Sequence, residues 1–102
     1  MPSQYQAGIY SAVRHYLKAI EADGTDEAMA VAAKMREMPV NDTFATNGLI
    51  RADGRHVHDL YLVEVKKPEE SQGPWDLYKV LSTIPAEQAF KPLDAACPLV
   101  RP

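Results

Sequence analysis

The spacing of apolar residues changes once along this chain, at Pro39, and the change limits which classes of fold are open to it. Before it, Tyr5, Ile9, Ala12, Val13, Tyr16, Leu17 and Ile20 recur at intervals of three and four, which puts them on one stripe of a helix. After it, Val57, Tyr61, Val63 and Val65 recur at even intervals, the pattern of a strand with one covered face. Helices that precede strands, without alternating with them, predict an α+β arrangement of two helices and a small antiparallel sheet.

Local signals set the expected boundaries. Ser3 can cap a first helix over residues 3–22, which stops near Gly24, where glycine can take the left-handed conformation that closes a helix. Thr25 is an N-cap candidate for a second helix over 26–38, with Asp26 and Glu27 at its positive end and Pro39 as its stop. Asn47-Gly48 and Ala52-Asp53-Gly54-Arg55 are turn chemistry, so strands are expected over 49–51 and 56–66. A polar, proline-bounded loop over 67–74 separates these from a strand over 75–84, which should pair antiparallel with 56–66. Pro85 opens one short helical turn, and the tail over 91–102 has too little periodicity for an assignment.

Two helices and a small antiparallel sheet are what 102 residues can hold, and they leave no room for a second domain. Three short strands offer little surface, however. With Tyr10 added, helix one is apolar or aromatic over more than half its circumference, which suggests burial on two sides. Residues 1–102 are therefore expected to form a single partial domain, with something outside this chain covering the helix.

Several function classes lack support. A formal net charge of −3, with Lys and Arg interspersed among Asp and Glu, gives no basic stripe for nucleic-acid phosphates. No stretch approaches the ~18 apolar residues of a bilayer span. Met1-Pro2-Ser3-Gln4 lacks the basic and apolar regions of a secretory signal, so the chain as written is expected in the cytoplasm. There is no Gly-x-Ser-x-Gly elbow and no glycine-rich phosphate loop, and no Ser or Cys is marked as a nucleophile. An enzyme is not expected, nor is a cofactor.

His56 and His58 share one strand face at a spacing that can chelate zinc or nickel. Strand alternation alone explains two polar residues on a solvent face, which is the preferred reading, and no metal site is expected. The single cysteine, Cys97, reads as a small apolar residue or, in a fragment, as a thiol parted from its disulfide partner. Tyr10, at the margin of the helix-one stripe, is the residue whose ring could face core on one side and a cleft on the other, with core packing the preferred reading from spacing alone.

The residues also carry a resemblance. Gln6-Ala7-Gly8-Ile9-Tyr10-Ser11-Ala12-Val13 and the helix that follows are similar to the late helix of branched-chain amino-acid (leucine/isoleucine/valine) binding proteins of ABC importers. Met35-Arg36-Glu37-Met38-Pro39-Val40-Asn41-Asp42, Asn47-Gly48-Leu49-Ile50-Arg51, His58-Asp59-Leu60-Tyr61-Leu62-Val63, Gly73-Pro74-Trp75-Asp76 and Cys97-Pro98-Leu99-Val100 continue the likeness in order.

The resemblance implies the C-terminal segment of a two-lobed α/β periplasmic protein that closes on a small solute and presents it to an ABC permease. It implies binding of a branched-chain amino acid or an aromatic carboxylate, with Tyr10 lining the cleft; helical spacing, not the resemblance, adds Gln6 one turn earlier. For the full-length family it implies the periplasm. Family members are several times longer, which accounts for the under-covered helix. The competing expectation is a truncated remnant that self-associates, as a homo-oligomer, through its exposed apolar surface.

Overall fold

The computed structural model describes residues 2–100. Met1 and the last two residues of the 91–102 tail lie outside the described residues. Helix α1 spans Gln4–Asp23. Its start is a reciprocal cap: the Ser3 hydroxyl accepts from the Gln6 amide, and Gln6 Oε1 accepts from the Ser3 amide at 2.7 Å. Its end is Gly24, at φ 72°, whose N–H bonds the Ile20 carbonyl at 2.8 Å.

Helix α2 spans Ala28–Glu37, and its cap is Glu27 and not Thr25. The longer Glu27 side chain reaches the Met29 and Ala30 amides at 3.1 and 2.8 Å, while the Thr25 hydroxyl, two residues too early, accepts from the Glu27 amide instead. Beyond α2 the chain makes a closed loop, pinned at its neck by a pair of hydrogen bonds between Val40 and Gly48 at 2.7 and 2.9 Å.

The strands form two ribbons, not one sheet. β1 (Leu49–Ile50) pairs antiparallel with β2 (His56–Val57) around the 51–55 turn, in which Gly54 has φ 82°. β3 (Leu60–Val65) pairs antiparallel with β4 (Tyr78–Ile84), with a bulge between Leu62 and Val63. The segment 56–66, expected as one strand, therefore breaks at His58 and Asp59. Asp59 turns its carboxylate to the Ala86 amide at 2.9 Å, which begins the one-turn helix α3 (Ala86–Ala89), and the two halves then find different partners.

The strand expected from residue 75 starts at Tyr78. Asp76 is taken up in closing the preceding loop, where it pairs with Lys66 Nζ at 2.8 Å and accepts from the Gln72 amide at 3.0 Å.

The core is small and lies where α1, α2 and the 40–48 loop meet, around Ala19, Val31, Val40, Ala45 and Val57. On α1 the fully buried residues are Ser11, His15 and Ala19, not the apolar stripe. Ser11 bonds Asp42 and His15 bonds the Met35 carbonyl, so that attachment is made by small and hydrogen-bonding groups. The stripe itself, with Ile9 66% and Leu17 56% accessible, faces outward.

All of β4 is exposed, as is β3 apart from Leu60, although both carry valines, leucines and tyrosines. The radius of gyration, 16.6 Å, exceeds the ~13 Å of a compact domain of this length, because the ribbon stands off the body. A two-stranded ribbon with apolar residues on both faces is marginal in water by itself.

Candidate ligand cavity

The capped start of α1 fixes where Gln6, Ala7 and Tyr10 stand, since they lie one turn apart on the same side of the helix. Across from them, Asp42 builds a tight turn. Its Oδ1 accepts from the Phe44 and Ala45 amides at 2.8 and 2.9 Å, and its own amide bonds the Ala45 carbonyl at 2.9 Å. Thr43 and Phe44 are thereby held out toward α1.

Tyr61, from β3, and Pro2 complete a hollow of about 690 Å³. That volume lies within the range of small-molecule sites, and no lining side chain is charged. Three aromatic rings, Tyr10, Phe44 and Tyr61, supply most of the apolar wall.

Both residues named from the sequence line this hollow. Tyr10 is 45% accessible, and its hydroxyl accepts from Arg14 Nη1, whose guanidinium also sits 5.9 Å from the ring centroid. The ring divides this hollow from a second, shallower one of about 500 Å³ along Ile9, Val13 and Leu17, so it meets open space on both sides and not core. Gln6 has its carbonyl oxygen committed to the helix cap, and only its NH₂ can donate elsewhere.

Behind Phe44 stands an aromatic cluster. His58 meets Phe44 edge-on at 4.8 Å and Phe90 at 5.4 Å, and His56 meets His58 at 5.0 Å. Neither histidine is on a solvated strand face, because the strand breaks between them and β3. His56 Nε2 is buried with no hydrogen-bond partner and lies against Gly48. Burial, then the neighbouring His58, lowers the His56 pKa below its ordinary 6.5, against an opposing pull from Asp42, and His15 lowers it a little further. Among the described residues, no group of three or more His, Cys, Asp or Glu side chains is placed to hold a metal.

Asp42 is held below the usual carboxylate range. Burial pushes its pKa up, but the Ser11 hydroxyl, the Ala45 and Phe44 amides and the His56 charge together outweigh it. Sequence reasoning did not pick out Asp42, Thr43, Phe44 or Tyr61. Asn41-Asp42 after a proline is turn chemistry and points to a structured loop, whereas the bond from Ser11, 31 residues away, leaves no local signal.

Comparison with known proteins places the chain in a family. The family model for periplasmic binding proteins matches residues 1–73. A periplasmic binding protein from Burkholderia mallei, solved by crystallography, is 49% identical with a TM-score of 0.84, over 99% of this chain and 27% of that one. A branched-chain amino acid ABC transporter periplasmic ligand-binding protein from Burkholderia xenovorans LB400 is 46% identical with a TM-score of 0.82, over 90% of this chain and 25% of that one. No curated protein matches. The chain thus spans about a quarter of the length of these crystallised relatives. With its matched segment covering most of its residues and its whole fold shared at nearly half identity, this chain belongs to the periplasmic binding protein family.

Proposed function

We propose that residues 1–102 are the C-terminal part of the solute-binding protein of an ABC importer, and that the cavity between α1 and the 42–45 turn is one wall of its ligand cleft. The observation that carries this is the cavity itself: an uncharged, aromatic-lined hollow of about 690 Å³ that brings together Tyr10, Gln6, Thr43, Phe44 and Tyr61. Its chemistry suits the apolar body of a small carboxylate, either a branched-chain amino acid or an aromatic acid. The protein makes and breaks no bond: it binds reversibly, in the periplasm as part of the full-length protein, and hands its solute to a membrane permease.

The outward apolar stripe of α1 and the bare faces of β3 and β4 support the partial-domain reading, since each needs a cover to be stable. The same surfaces favour a second reading, self-association of this chain through α1. A thermal-shift screen against branched-chain amino acids and small aromatic carboxylates separates the two, run beside light scattering. A ligand at a hundredfold excess over its Kd adds about 2.7 kcal/mol to a protein that binds it only when folded. A saturable rise in midpoint supports solute binding. No rise across the panel, with a stable dimer, favours self-association.

A further inference from the structure

Ser11 follows Tyr10 on α1 and is 1% accessible. A serine inside a helix ordinarily turns back to the carbonyl one turn earlier. This one donates to Asp42 Oδ2 at 2.7 Å, across 31 residues of sequence. The other oxygen of the same carboxylate accepts both amides of the turn that presents Thr43 and Phe44. One carboxylate therefore bonds both walls of the cavity, one oxygen to each. The other polar link between α1 and this loop, Lys18 Nζ to the Asn41 carbonyl at 3.1 Å, is exposed and lies outside the turn.

We infer that Ser11 and Asp42 are positioning residues: their hydrogen bond ties the 42–45 turn to α1 and so sets the width of the cavity between Tyr10 and Phe44. The inference rests on the reading of that cavity as a ligand site. The bond is strong, because a hydroxyl donating to a carboxylate gains charge assistance, and the Ser11 hydroxyl, 1% accessible, cannot replace it with water, although Asp42 is only half-buried. Asp42 is kept ionised, which keeps it an acceptor on both sides. Phe44 cannot retreat freely either, since His58 stands edge-on behind it. The Ser11–Asp42 bond is thus the front stop and His58 the back stop of one cavity wall.

The test compares the full chain with Ser11→Ala, Ser11→Cys and Asp42→Asn, by amide hydrogen exchange and by calorimetric titration with L-leucine and with benzoate. Ser11→Ala is expected to speed exchange at Phe44 and Ala45 by about tenfold relative to interior amides of α1, and to weaken whichever probe binds by about tenfold. Ser11→Cys removes the strong donor while filling the same space, and keeps the comparison valid if alanine costs the fold.

Asp42→Asn restores much of the tie, because its amide oxygen still caps the turn and its NH₂ can donate to the Ser11 hydroxyl. Unchanged exchange at Phe44 and Ala45 in both Ser11 variants would overturn the inference, as the turn would then hold itself. Faster exchange with unchanged affinity would overturn it equally. If the unaltered chain binds neither probe, it is the ligand reading of the cavity that fails, and the exchange comparison alone decides the tie.

Discussion

Replacing Gly48 by alanine adds one carbon, and the structure says what that carbon meets. A Cβ at this position would sit 2.4 Å from His56 Nε2, 3.2 Å from His56 Cδ2 and 3.2 Å from Val40 Cβ. Ordinary carbon contacts are about 3.5 Å, so the imidazole would have to retreat by roughly 1 Å. His58 and Phe44 stand 5.0 and 6.1 Å from its centroid, so the ring would have to move toward the hollow of about 210 Å³ that it borders with Ser11, His15 and Val40.

The backbone cannot yield, since Gly48 N and O both bond Val40. Gly48 has no left-handed backbone, so the usual gain from stiffening the unfolded chain, about 0.4–1 kcal/mol, works in alanine's favour. Displacing the ring and overpacking Val40 costs about 1–3 kcal/mol and outweighs it. The expected net loss is about 1–2 kcal/mol, or a fall in Tm of about 4–15 °C for a domain of this size.

Thermal unfolding followed by circular dichroism measures the loss. A double-mutant cycle then assigns it: in a His56→Ala background, Gly48→Ala should cost markedly less. A Gly48→Ala variant as stable as the parent, or more so, would refute the reasoning.

Acid should destabilise the chain through His56. Its folded pKa lies below 6.5, so the unfolded chain binds the proton more readily. The stability present above about pH 6.5 is then lost as pH falls through the folded value, and His56→Phe should flatten the Tm profile below about pH 6.5. A second loss, from Asp42, belongs below its ordinary 3.8, and Asp42→Asn should remove it from an acid unfolding curve. Ser3→Ala breaks the reciprocal cap with Gln6 and should cost about 0.5–2 kcal/mol in chemical denaturation. Tyr10→Phe removes only a hydroxyl bonded to Arg14, so Tm should move by less than about 0.5 kcal/mol equivalent, while an altered Kd for a bound solute would place that hydroxyl in the cleft.

The helices were legible because their signals are local. Ser3 and Gly24 sit at the two ends of α1, and each acts on neighbours within four residues. The face that α1 buries was not legible from periodicity. Hydrophobic spacing selects Ile9, Val13 and Leu17, whereas the contacts inside this chain are made by Ser11, His15 and Ala19, and the apolar stripe is left bare.

The strand break at His58 was hidden for a related reason, since alternation runs straight through it and only the distant Ala86 amide draws Asp59 aside. For the candidate site, the resemblance pointed to Tyr10 and helical spacing from it to Gln6, and both line one hollow. The opposite wall depends on the turn that Asp42 builds and on a bond from Ser11, and no spacing rule encodes a contact of that range.

The most direct test of the solute-cleft reading is an amide chemical-shift titration of the chain with L-leucine and with benzoate. The account predicts saturable shifts at Gln6, Ala7, Tyr10, Thr43, Phe44 and Tyr61, the residues around the cavity, with one dissociation constant common to all of them. Shifts that fail to saturate, or that gather around Arg51 of the β1–β2 turn and Lys91 beside it, would contradict it.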